Sequence, residues 1–98
     1  MNKQSVIKRL RELKQQLMHS YGVAKLGVFG STVRGTATRQ SDVDILIDFE
    51  VGHETYNNFI SVCDLLEKAF GNRKVDVVTR NGLSPFIGDT ILKEVEYV

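Results

Sequence analysis

A chain of 98 residues, 42% hydrophobic and 26% charged, has the make-up of a single ordinary globular domain spanning 1–98, with a core adequate but not generous for its size. Its formal charge of +1 argues neither for nor against nucleic acid, since a polyanion binder usually shows a clear basic excess; no direct nucleic-acid contact is expected. The lone Cys63 excludes a disulfide framework, no apolar run nears the roughly 20 residues of a bilayer span, and the basic N-terminus is unlike a signal peptide; a cytoplasmic protein without membrane attachment is the default expectation.

Val6, Ile7, Leu10, Leu13, Leu17 and Met18 recur at helical spacing and predict an amphipathic helix, stopped at Gly22. Lys3, Lys8, Arg9, Arg11 and Lys14 make it basic, as a solvated helix face commonly is. Val23 to Phe29 reads as a short buried strand that runs into a glycine turn. Ser31 to Arg34 can start a short helix with Ser31 as its N-cap, and Thr36 to Ser41 reads as a polar loop.

Val43 to Phe49 carries the strongest strand signal. Asp42, Asp44, Leu46 and Asp48 share one face, and Val43, Ile45, Ile47 and Phe49 form an apolar opposite face. On this reading one face carries chemistry and the other builds the core. Thr55 can cap a second long helix whose expected buried stripe is Tyr56, Phe59, Ile60, Cys63, Leu66 and Phe70, closed by Gly71. Lys74 to Thr79 reads as a third strand with Asp76 set among valines, and Ser84-Pro85 opens a C-terminal helix ending near Lys93. The order α-β-α-β-α-β-α predicts an α/β fold, a small sheet with helices packed against it.

Gly30 and Ser31 form a turn that a phosphate can approach, with a hydroxyl and following N–H groups as donors. The lysine of a Walker loop is absent. Asp42 and Asp44, two apart on a strand, aim at one spot; such a pair repels unless a cation sits there, and Mg²⁺ prefers carboxylate oxygen. Asp76 has two readings. It either reaches water from a strand edge, or lies beside Asp42 and Asp44 as a third carboxylate ligand. Arg34 and Arg39 can neutralise phosphate charge, while Arg34 can equally pair with a carboxylate or cap the loop. Asp48 lies about 13 Å from Asp44 at strand rise and is too far to share a metal. His19 and His53 lack partners at ligand spacing, so zinc is not expected. Tyr21, Tyr56 and Tyr97 read as packing residues.

Gly30-Ser31, ten intervening residues, then Asp42-Val43-Asp44 resembles the signature of the DNA polymerase β-type nucleotidyltransferase superfamily. The fuller Gly-Ser-Thr-Val-Arg-Gly and Ser-Asp-Val-Asp-Ile-Leu-Ile-Asp-Phe segments are similar to its minimal nucleotidyltransferase branch, with Val33 where many members have alanine. The resemblance implies a small mixed β-sheet flanked by helices. It implies phosphate binding at Gly30 and Ser31, Mg²⁺ ligation by Asp42 and Asp44, and a third carboxylate for which Asp76 is the candidate. ATP would be the nucleotide donor and an acceptor hydroxyl the attacking group, with Asp76 helping to remove its proton.

Members of this branch often stand beside a HEPN-type toxin as its antitoxin and can transfer AMP to a toxin tyrosine. A chain this short leaves little room for an acceptor-binding domain, which fits an acceptor supplied by a partner in a hetero- or homo-oligomer. The competing reading is a binding module that neutralises its partner by occlusion, through Phe86, Ile87, Ile91, Leu92 and Val95. A third, a small-molecule nucleotidyltransferase, needs an acceptor pocket that the sequence does not reveal.

Overall fold

The computed structural model describes residues 2–98. Helix α1, Lys3–Tyr21, begins at Asn2, whose side chain accepts the N–H of Ser5, and ends at Gly22 in the left-handed conformation. Its stripe Val6, Leu10, Leu13 and Leu17 is buried. The strands β1 (Val23–Phe29) and β2 (Val43–Phe49) follow the sequence reading residue for residue, and β3 covers Val75–Thr79. Helix α2 is Ser31–Arg34, α3 is Tyr56–Ala69 and α4 is Gly88–Glu94.

The sheet is mixed, in the order β3-β2-β1-β4, and the last strand is Glu96–Tyr97. β1 is antiparallel to both β2 and β4, while β2 and β3 run parallel. A parallel pair needs a long crossover, and α3 supplies it. Against one face α1 and α3 close the main core over Val23, Leu26, Val28, Val43, Ile45, Ile47 and Phe49. A register shift between Val23 and Lys25 is what lets Val23 join Leu26 and Val28 on that face, since strict alternation would turn it outward.

The opposite face departs from expectation. Leu46, on the side of Asp44, is 1% exposed and forms a second cluster with Phe29 and Ile91, flanked by Val78, Leu83, Leu92 and Val95. The face that bears the aspartates is thus half covered by α4, and only its Asp44 end stays open to chemistry.

Three local expectations also need correction. In α3 the stripe is rotated: Tyr56 is 78% exposed and Ile60 45%, whereas Val62, Leu66 and Phe70 are buried, with Phe59 packed beside them. The helix carries two overlapping apolar rows, and the sheet selects the one through Phe59, Val62 and Leu66. The C-terminal helix starts at Gly88 rather than at Ser84-Pro85, because Ser84 holds a turn: its Oγ accepts from Phe86 N and its carbonyl from Gly88 N. Strand β4, two residues long, is too short to announce itself as a pattern. Among the described residues no helix is long and apolar enough to cross a membrane.

The rotated α3 face is open to direct measurement. Leu66→Ala is expected to lower unfolding stability by about 3 kcal/mol by leaving a core cavity, and Ile60→Ala by no more than about 0.5 kcal/mol. Urea melts of the two variants check this; equal losses would contradict the observed orientation.

Candidate active site

Phe29 ends β1 directly opposite Asp44 on β2. The next residue, Gly30, turns the chain with φ 75° and ψ −150°, a region that only glycine enters without strain. There is a second reason for glycine: a Cβ at this position would collide with Oδ2 of Asp44. The turn and the carboxylate therefore sit against each other, and the missing side chain is what permits it. Gly30, not Ser31, caps α2; its carbonyl accepts the N–H groups of Val33 and Arg34 at 3.1 Å each, and Ser31 becomes the first helical residue, with no side-chain cap bond.

Asp44 and Asp76 are register partners on the parallel pair β2 and β3, so their side chains lie side by side on one face. Asp76 does reach water, because β3 is the sheet edge and Asp76 is exposed; it also stands next to Asp44 in register. Asp42 precedes β2, and its Oδ2 lies 3.6 Å from Nζ of the well exposed Lys74. Burial pushes the Asp44 carboxyl up, and so do the negative charges of Asp76 and Asp42; Arg34 pulls it back and Glu94 adds to the rise.

Among the described residues no three His, Cys, Asp or Glu side chains are drawn together into a ready-made metal cage. What the structure does supply is an all-oxygen acidic donor set whose central member resists ionisation, first through burial and then through its acidic neighbours. That chemistry fits a hard divalent cation such as Mg²⁺, which takes carboxylate oxygens and removes the repulsion.

The remaining sequence candidates fall elsewhere. Arg39 lies in the exposed loop after α2. Asp48 pairs with Lys25 towards the far end of β1 and β2. His53 lies against Gly22, at the opposite end of β1 from Gly30.

Two positions escaped the sequence reading. Arg73 donates from Nη2 to the carbonyls of Thr38 (2.8 Å) and Ser41 (3.0 Å), and from Nε to Ser41 (3.3 Å). It thereby fastens the loop just ahead of Asp42 to the segment leading into β3, where the Lys74 carbonyl accepts Val43 N. Glu94 pairs with Arg34, Oε1 to Nη1 at 2.5 Å. Neither has a local pattern to reveal it, since each acts over a long separation along the chain.

The nucleotidyltransferase domain family model matches residues 7–98. The protein adenylyltransferase MntA of Thermococcus cleftensis is 46% identical over 85 residues, which cover 87% of this chain and 84% of that protein. A solved minimal nucleotidyltransferase superimposes with a TM-score of 0.80 at 33% identity, covering 98% of this chain and 95% of the other. The fold is also that of a chain in a toxin–antitoxin structure solved with AMP-PNP, at TM-score 0.68 and 22% identity, with 99% and 72% covered.

The raised Asp44 carboxyl has a definite stability consequence. An acid whose folded-state pKa lies above its unfolded one costs stability once it ionises, so the penalty is present above the folded pKa and vanishes below the ordinary carboxylate range. In metal-free buffer Asp44→Asn is therefore expected to raise the melting temperature at pH 7 by a few degrees, with the gain disappearing as pH falls through that range. Calorimetry across pH checks it; no gain at pH 7 would contradict the repulsion.

Proposed function

The chain belongs to the nucleotidyltransferase domain family, and on that premise we propose that it transfers AMP from ATP to a hydroxyl of a partner protein. The observation that carries the assignment of the site is the placing of Asp44 against Gly30 and beside Asp76 in one register. Residues 1–98 act here as one minimal nucleotidyltransferase domain.

The triphosphate would approach the turn after the buried Gly30, where the half-buried Ser31 and the exposed Arg34 would donate hydroxyl and guanidinium hydrogens to its oxygens. Asp42, Asp44 and Asp76 are the residues that would hold Mg²⁺. When bound, Mg²⁺ supplies activation of the attacking oxygen and stabilisation of the charge that develops on the leaving group. The acceptor oxygen bonds to the α-phosphorus, the bond to the bridging oxygen breaks, and pyrophosphate leaves. Asp76, the carboxylate at the exposed sheet edge, would take the acceptor's proton.

The choice of a protein acceptor draws on the relative named a protein adenylyltransferase. The partner we propose is a toxin of the HEPN type, modified on a tyrosine, so that the chain serves as its antitoxin in the cytoplasm. The neighbour solved as a toxin–antitoxin pair with an ATP analogue is consistent with that pairing.

One observation favours a second reading, neutralisation by complex formation alone. Phe86 is 91% exposed and Ile87 57%, two adjacent large apolar side chains in the turn before α4. Of the wider surface expected there, Ile91 is buried in the second cluster and cannot contribute.

Incubation of the chain and a candidate toxin with ATP labelled at the α-phosphate and Mg²⁺ separates the two. Label is expected on a toxin tyrosine, and Asp44→Asn is expected to slow its transfer by about 100-fold or more. Undiminished neutralisation by Asp44→Asn, with no label transferred by the wild type, would instead support occlusion.

A further inference from the structure

Glu94 stands where electrostatics favour a carboxylate least. It is the last residue of α4, where the carbonyl end of a helix repels negative charge. It also adds to the anions that push Asp44 up. Its side chain is only 15% exposed, so water relieves little of this, and among the described residues its ion-pair partner is Arg34.

Arg34 has a choice of carboxylates. It closes α2 one turn after Gly30, whose carbonyl accepts its N–H, and the Asp44 carboxylate lies against Gly30 itself. A guanidinium forks readily onto a carboxylate and commits its oxygens to N–H groups. Seated on Asp44, Arg34 would occupy the oxygens that a cation needs and turn away from the donor phosphates.

We infer that Glu94 is a positioning residue that holds Arg34 off Asp44, leaving the carboxylate free for a divalent cation and the guanidinium free to meet phosphate. The pairing engages one nitrogen, Nη1, of a group with five N–H donors, so phosphate contact and the Glu94 contact are compatible. The role runs from the C-terminal end of α4 to the turn after β1, and it explains why a third nearby anion is retained beside an already strained carboxylate. It rests on the reading of Asp44 as a cation ligand.

The test is direct Mn²⁺ binding, followed by electron paramagnetic resonance without nucleotide, so that catalysis does not enter. Glu94→Gln is expected to weaken Mn²⁺ binding about 5- to 10-fold, because Arg34 is released onto Asp44. Adding Arg34→Gln to that variant is expected to restore affinity to within about 2-fold of wild type, whereas Arg34→Gln alone shifts it by less than about 2-fold. Glu94→Ala replaces the glutamine variant should that one fail to fold.

Wild-type Mn²⁺ affinity in Glu94→Gln would overturn the inference while leaving the cation site standing. So would an Arg34→Gln effect of the same factor in both backgrounds, the signature of two independent charges. If Asp44→Asn binds Mn²⁺ as well as the wild type, the cation-site reading itself fails and this inference falls with it.

Discussion

The molecule is organised around the Asp44 carboxylate, which is burdened first by burial and then by the negative charge of its acidic neighbours. The parallel register of β2 and β3 sets Asp44 beside Asp76, and the chain enters β2 with Asp42 two residues earlier. Such a cluster opposes folding unless positive charge answers it. The answer within the chain is partial and peripheral: Lys74 near Asp42 and Arg34, which is paired with Glu94. On the proposed function, a divalent cation would supply what these side chains do not.

Much of the fold serves to hold that unfavourable arrangement. The main core under α1 and α3 fixes β1 and β2, so Gly30 and Asp44 meet with no freedom to separate. α4 covers the other face as far as Leu46 and stops, leaving the Asp44 end open. Arg73 then fastens the loop ahead of Asp42 to the segment leading into the strand that bears Asp76. A packed frame is what keeps Asp44 against Gly30 and beside Asp76 despite the like charges of the two aspartates.

The local geometry was written plainly in the chain. Two strands, the stop at Gly22 and the cap at Thr55 follow from alternation and from residues with one dominant structural use. The proximity of Gly30 to Asp44 could be expected from a motif whose parts lie within one β-turn-β unit. What escaped depends on tertiary choice. The orientation of α3 was decided by the sheet between two apolar rows of similar strength, and the face of Leu46 became a second core only because α4 docks on it. The pair Arg34–Glu94 and the Arg73 clamp join segments far apart in sequence, where no periodicity or spacing rule reaches.

Melting of the metal-free protein against increasing MgCl₂ at constant ionic strength reads the repulsion most directly. A cation that relieves Asp44 must stabilise the folded chain by mass action. The melting temperature of the wild type is expected to rise and saturate with Mg²⁺, and that of Asp44→Asn to stay flat. Equal rises in both proteins, or none in the wild type, would contradict a cation site centred on Asp44.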